Sequence, residues 1–252
     1  MKISIITVCF NSSLTITDTM LSVLGQSYND IEYIIIDGGS TDSTIEKIKL
    51  IEPQFVGRLK YYSGPDSGIY DAMNKGILLA NGEVIGILNS DDVYNGSTVV
   101  EMIMREFIQN EQLNIVYGDL VYVRADNLNK VVRRWVSKPY NSRFFDNGDV
   151  PAHPTLFVRR QRYCEIGFFN LNYRFAADYD LMLRFLKKNN LSAKYIPVVI
   201  VKMRLGGVTN NSLFNIFRQN IEILNSWRSN GLNVPIQLLP MKFFKRLIQF
   251  IN

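Results

Sequence analysis

Four carboxylates, Asp37, Asp66, Asp91 and Asp92, together with Asn11 and Asn89, fall just beyond short apolar β-branched runs. In an open α/β sheet the carboxyl ends of the strands form the ligand crevice, so polar groups there carry more weight than polar groups elsewhere. Acidic groups gathered at one sheet edge repel each other unless a cation, or donors such as ribose hydroxyls and a base N–H, come between them. A nucleotide with a divalent metal supplies both. Taken singly, Asp37 and Asp91 could be turn or N-cap residues; their joint placement favours a site. Further along, Asp178 and Asp180 open a helical stretch, His153 is the single histidine, and Arg204 precedes Gly206-Gly207.

Alternating elements are required to bring these residues together. Lys2 to Phe10 and Ile31 to Asp37 read as strands around a helical stretch, Ser13 to Leu24, with Leu14, Met20, Leu21 and Leu24 at helical spacing. The run Tyr33-Ile34-Ile35-Ile36 is hydrophobic on both faces, as a parallel strand covered by helices must be. A helix from about Ser43 to Ile51, a strand Arg58 to Tyr62, a helix Tyr70 to Leu79, a strand Val84 to Leu88 and a helix near Ser97 to Gln109 continue the pattern. The fold class expected is α/β, a mostly parallel sheet flanked by helices. Ile115 to Tyr117, Val121 to Arg124 and Val131 to Trp135 predict an antiparallel addition. Asp178 to Lys188 then carries a helical stripe of Leu181, Leu183, Phe185 and Leu186, and Ser192 to Val201 another strand.

Ser4-Ile5-Ile6-Thr7 with Asn11, then Ile35-Ile36-Asp37-Gly38-Gly39-Ser40-Thr41-Asp42, then Gly82-Glu83 leading to Asn89-Ser90-Asp91-Asp92, resemble in order and spacing the serial signatures of family 2 glycosyltransferases, notably those building bacterial surface polysaccharides. The resemblance spans about residues 1–209 and implies the A-type nucleotide-sugar transferase fold (GT-A). It implies a nucleotide-sugar donor, a UDP-sugar by family habit, with inversion on transfer to a glycan or polyprenyl-diphosphate-linked sugar. The loop from Thr7, Asn11 and Asp37 is then expected at the nucleobase with Asp66 assisting, Asp91 at the ribose, and Asp92 as ligand to Mn²⁺ or Mg²⁺, which neutralises the departing diphosphate. Asn89 stands where many relatives carry another carboxylate, leaving Asp91 and Asp92 as the charged part of the cluster. Asp66 to Gly76 resembles the second nucleotide-side motif, with Asn74 retained, Met73 where other branches have arginine, and Lys75 in compensation.

By the same resemblance Phe175-Ala176-Ala177-Asp178 aligns Asp178 with the base of an acidic pair whose first member is Ala177 here. A displacement with inversion needs such a carboxylate to take the acceptor hydroxyl's proton. His153 is placed on the acceptor side, and Arg204 in a loop, Arg204 to Thr209, that closes over the diphosphate. Residues 1–110 are read as the donor half, 111–209 as the acceptor half and 210–252 as a helical tail. In that tail Leu213, Ile216, Phe217, Ile221 and Leu224 share a face, while Ile236 to Ile251 mixes large apolar residues with Lys242, Lys245 and Arg246 and no acid, a pattern suited either to packing on the body or to an anionic membrane surface.

Bulk properties bound these readings. A hydrophobic fraction of 47% and a charged fraction of 20% describe an ordinary globular enzyme. The formal charge of +5, scattered or in the tail, gives no nucleic-acid reader. Cys9 and Cys164 lack metal-site spacing and read as buried free thiols of a reducing, cytoplasmic compartment. No signal peptide or bilayer-spanning run is expected, which places any membrane contact at the cytoplasmic face. A sugar nucleotidyltransferase would open with a glycine-rich, cationic phosphate loop, and Thr7 to Ser13 contains neither glycine nor cation. A non-catalytic sugar-nucleotide or glycan binding module would have no use for Asp178.

Overall fold

A computed structural model describes residues 1–206 and 213–248. Its centre is one nine-stranded sheet built from β1 (Ile3–Cys9), β2 (Ile31–Asp37), β3 (Leu59–Ser63), β4 (Val84–Ile87), β5 (Val93–Tyr94), β6 (Ile115–Arg124), β7 (Asn127–Trp135), β8 (Phe157–Arg159) and β9 (Ala193–Arg204). The order is β3-β2-β1-β4-β8-β6-β9-β5, with β7 added to β6. β3, β2, β1 and β4 pair in parallel, whereas β8 runs antiparallel to β4 and to β6. The chain therefore turns one way from β1 to β2 and the other way to reach β4, which makes the carboxyl end of β1 the switch point where the crevice opens.

Alternate residues of the central strands feed two cores. Ile3, Ile5, Tyr33 and Ile35 pack beneath α1 (Ile16–Leu24), α2 (Thr44–Ile51) and α4 (Val99–Gln109), through Met20, Ile48 and Ile103. Ile6, Val8, Ile34 and Ile36 pack on the opposite side beneath α3 (Ile69–Leu79). That second core continues through α6 (Ala177–Met182), its π-helical extension Leu183–Lys188, and α7 (Leu213–Ser229). α3 lies so close to the sheet that a Cβ on Gly76 would come within 2.4 Å of Ile6 Cγ2. The remaining helices are α5 (Arg160–Ile166) and α8 (Leu238–Ile248).

Several expectations change in detail. Ile115–Arg124 is one strand, not two, because its ladder to β9 resumes after a register shift at Tyr117 to Leu120, where Gly118 meets Ile200. On α1 the buried residues are Ile16, Thr19, Met20 and Val23, while Leu14 and Leu21 face outward. Cys9 is buried as expected, but Cys164, on the short α5, is exposed. The stripe Leu181, Leu183, Phe185 and Leu186 is fully buried. On α7, Phe217 and Ile221 are exposed, and Ile223, Ser226 and Trp227 are buried instead, a face turned by roughly one residue from the expected one. α7 and α8 share the second core through Ile223, Trp227 and Leu238. Gly207 to Thr209 of the diphosphate-loop expectation, and Ile251 of the tail, lie outside the described residues.

Candidate active site

At the end of β1, Asn11 adopts a left-handed backbone (φ 49°) and turns the chain across to the loop after β2. Its Oδ1 accepts the Thr41 N–H at 2.9 Å, and Ser40 Oγ accepts the Asn11 N–H at 2.8 Å. Asn11 therefore laces the two loops of the switch point together. Asp37, nearly fully buried at the end of β2, accepts the N–H groups of Gly39 (3.1 Å) and Ser40 (2.9 Å), the Ser63 hydroxyl (2.7 Å) and the Ser40 hydroxyl. Burial alone would raise its pKa; the bonds from Ser40 and Ser63 outweigh it and hold the carboxyl below its ordinary range. Asp66 arrives from the far side. Its Oδ1 accepts the Gly68 N–H at 2.8 Å, and Oδ2 lies where a Cβ on Gly38 would come within 2.6 Å, so the carboxylate lies directly over a glycine. Asn11, Asp37, Ser40, Ser63 and Asp66 thus form one polar wall at the ends of β1 to β3. Thr7 is not part of it: it is wholly buried within β1, with its hydroxyl bonded to Tyr33 at 3.0 Å.

Beyond β4, Asn89 Nδ2 donates to Asp92 Oδ2 at 3.1 Å, while Asp92 Oδ1 and Asn89 Oδ1 are buried with no hydrogen-bond partner among the described residues. Asp92 is fully buried, and burial together with the charge of Asp91 pushes its carboxyl well up. Asp91 is only partly buried; burial raises it, opposed by the Arg204 charge. Arg204 itself is 6% exposed, donating to the Asp91 carbonyl at 2.7 Å and paired with Asp18 of α1. Its guanidinium is committed to holding the acidic turn and does not project toward solvent, so a free cation closing over a diphosphate is not what the fold presents at this position.

The third group lies where α3 meets α6. Asp178, in the first turn of α6, is half-buried; its Oδ1 accepts the Tyr70 hydroxyl at 3.2 Å and the Tyr179 N–H at 2.8 Å. Oδ2 carries no hydrogen bond among the described residues. Tyr70 stacks on Phe169 at 5.5 Å, and the His153 ring meets the edge of the same phenyl at 5.4 Å. Burial lowers the His153 pKa, an effect partly offset by the charge of Asp178. Asn74, expected at the nucleotide, is elsewhere: its amide donates to the Phe169 carbonyl and accepts the Phe169 N–H, both at 2.9 Å. It anchors the aromatic platform below Asp178. Tyr70 and Phe169 were not singled out in the sequence, although Tyr70 and Asn74 stand at i and i+4 on α3 and so share a face. α3 joins the two halves of the site, with Asp66 just before it and Tyr70 in its first turn.

The description "Glycosyl transferase family 2" matches residues 4–168. The chain is 32% identical over 210 residues, 82% of its length and 78% of the relative's, to a Mycobacterium bovis "PGL/p-HBAD biosynthesis glycosyltransferase". It is 28% identical over 223 residues, 88% of its length and 86% of the other's, to an uncharacterized glycosyltransferase of Haemophilus influenzae. Among solved structures, S. aureus TarS 1-349 in complex with UDP superposes with a TM-score of 0.68 at 16% identity, covering 96% of this chain and 68% of that one. The mannosyltransferase PcManGT from Pyrobaculum calidifontis, in complex with GDP-Man and Mn²⁺, gives 0.61 at 15%, covering 98% and 74%.

Proposed function

Because this chain belongs to glycosyl transferase family 2 and has the GT-A fold, we propose that it transfers a hexose or N-acetylhexosamine, with inversion, from a UDP-sugar to a hydroxyl of a glycan or polyprenyl-diphosphate-linked sugar in surface-polysaccharide biosynthesis. The observation that carries this reading is the unbonded Oδ2 of Asp178, a carboxylate whose other oxygen is fixed by Tyr70 and the Tyr179 N–H. Oδ2 takes the proton of the acceptor hydroxyl as its oxygen bonds to the anomeric carbon. The bond from that carbon to the diphosphate breaks on the opposite face, and its electron pair leaves with the nucleotide. His153 and Phe169 line the acceptor side. The wall of Asp37, Asp66 and Asn11 receives the nucleobase, and Asp91 the ribose. The UDP-sugar follows the sequence resemblance and agrees with TarS, which forms complexes with UDP and UDP-GlcNAc, whereas PcManGT, of the same fold, binds GDP-Man.

The acidic turn fits a divalent cation. Asp92 Oδ1 is buried without a partner, its carboxyl is pushed toward protonation, and both groups are hard oxygen donors. Among the described residues no cluster of three or more His, Cys, Asp or Glu side chains could hold a metal by itself, so diphosphate oxygens and water would complete the shell around Asp91 and Asp92. When bound, Mn²⁺ or Mg²⁺ supplies charge neutralisation for the departing diphosphate. Such an ion also matches the Mn²⁺ complex of the mannosyltransferase.

Among the described residues no helix is long and apolar enough to cross a membrane. α8 instead exposes Phe243 and Phe244 (66% and 58%), while Lys242 lies over the Tyr179 ring and Lys245 pairs with Asp149; the exposed phenylalanines support peripheral contact with the cytoplasmic face of an inner membrane, where a lipid-linked acceptor would reside. The test is a panel of nucleotide-sugars with lipid-diphosphate-sugar acceptors, with and without Mn²⁺. Nucleoside diphosphate release with a UDP-sugar is expected, and release with no donor would sink the reading. Asp178→Asn is expected to lower turnover by about 10²–10⁴-fold while UDP affinity holds within twofold.

A further inference from the structure

α6 begins without the usual means of satisfying its amino end. Ala176 is the N-cap residue and has no side-chain acceptor, Ala177 follows, and the first acid in the helix is Asp178, whose carboxylate points to Tyr70. The N–H groups entering the helix therefore need a partner from elsewhere, since buried donors left unbonded cost free energy. For the first of them, the Ala176 N–H, and for the two N–H groups just ahead of it, the partner comes from α7. Glu222 Oε1 accepts the Arg174 N–H at 3.1 Å, and its Oε2 accepts the N–H groups of Phe175 at 2.7 Å and Ala176 at 2.9 Å. One carboxylate thus clamps the N–H groups of three successive residues, the last of them two residues ahead of Asp178.

The rest of the same face of α7 grips what flanks Asp178. Gln219 donates to the Phe175 carbonyl at 3.2 Å, Ser226 and Asn230 donate to Asp180 Oδ1 at 3.0 and 2.9 Å, and Trp227 Nε1 donates to the Tyr179 hydroxyl at 2.8 Å. Gln219, Glu222, Ser226 and Asn230 recur every three to four residues, the spacing of a single helical stripe. Phe175, Ala176, Tyr179 and Asp180 are all held by this stripe, while Asp178 faces away from it toward Tyr70.

We infer that Glu222 is a positioning residue for Asp178, and that α7 belongs to the catalytic apparatus. Ionised carboxylates accepting backbone N–H groups make the stronger class of hydrogen bond. The clamp fixes the start of α6 and so the position of the carboxylate within its first turn. A displacement of about 1 Å at a reacting group costs on the order of 10²-fold in rate. The inference rests on Asp178 being the base, and the experiment separates the two.

The full-length chain is compared with Glu222→Gln, which keeps one acceptor oxygen, and Glu222→Ala, which keeps none. Turnover is read as nucleoside diphosphate release from whichever of UDP-N-acetylglucosamine, UDP-glucose and UDP-galactose the parent uses, and backbone order by amide hydrogen exchange. Expected is a fall in kcat of about tenfold for Gln and about 10²-fold for Ala, with donor KM and UDP affinity within twofold. Exchange should quicken over residues 173–180 and stay unchanged over residues 37–42. A kcat within twofold of the parent in both variants overturns the inference. So does unchanged exchange over 173–180, a readout that holds for Gln if the Ala variant does not fold, and that needs no turnover. A loss of kcat matched by equal loss of UDP affinity and by faster exchange throughout the chain overturns it as well, since that reports general destabilisation. If Asp178→Asn keeps full turnover, the base assignment fails on its own, whereas an inactive Asp178→Asn beside a fully active Glu222→Ala removes Glu222 alone.

Discussion

Asp178 and Asp37 are both carboxylates at element ends, yet they are prepared for opposite tasks. Every bond to Asp37 comes from its own surroundings, four of them from Gly39, Ser40 and Ser63, so its charge is spent on the shape of the loop that forms the wall. Asp178 keeps one oxygen unbonded. Tyr70→Phe retains the stacking on Phe169 but removes the hydroxyl at Oδ1. A net hydrogen-bond contribution of about 0.5–1.5 kcal/mol predicts a two- to tenfold lower kcat with unchanged donor KM, checked by steady-state kinetics. For Asp37 the folded pKa lies below the ordinary 3.8, so its contribution to stability is complete above that value and is lost as pH falls through the lower folded one. Asp37→Asn should therefore lower the melting temperature at pH 7, and the gap from the parent should narrow as pH is taken below about 4. Thermal unfolding followed by circular dichroism at each pH measures it.

At the scale of elements, α3 carries the most responsibility. It spans from the Asp66 side of the site to Tyr70 and Asn74, and it is seated on β1 through Gly76. Gly76→Ala places a methyl against Ile6 and must lift the helix or displace the isoleucine. Overpacking of this kind costs about 1–3 kcal/mol. Both a lower melting temperature and a lower kcat are expected, because lifting α3 moves the Tyr70 hydroxyl from Asp178; calorimetry and turnover on the same preparation test the pair of effects. α7 is the counterpart on the other side of α6. Its buried face, Ile223, Ser226 and Trp227, was not evident in the sequence, because Phe217, Ile221 and Leu224 form an equally regular apolar stripe. Which stripe is buried depends on the surface available, and that surface is made by α6 some forty residues earlier.

For the whole molecule, the sheet places the polar wall and the acidic turn at the ends of its strands and the Asp178 group where α3 meets α6, while α8 sets Phe243 and Phe244 on the outside. If this exposed pair docks on a membrane, the full chain should co-sediment with vesicles containing anionic phosphatidylglycerol and less so as salt is raised, since screening weakens the cationic part and leaves the apolar part. Phe243→Ala with Phe244→Ala should abolish co-sedimentation and leave turnover on a water-soluble acceptor within twofold. Binding to neutral vesicles equal to that on anionic ones would count against the electrostatic component.

The parallel half of the sheet and the position of its acidic residues were legible from local patterns in the chain. The apolar runs ending at Cys9, Asp37 and Ile87 have a local periodicity that leaves few alternatives, and strand ends are where such sheets bind ligands. Local pattern also made Asp178 visible, since the motif lies on one continuous segment. Which polar side chains face the crevice is set by packing between distant segments. Thr7 and Asn74 are polar residues in matching motifs, but one is consumed by Tyr33 and the other by the Phe169 peptide. Arg204 is held by Asp18, 186 positions away in the chain, and Glu222 reaches Ala176 across 46. A hydrogen bond's partner across such separations is set by how the elements pack, and no local pattern of residues encodes it.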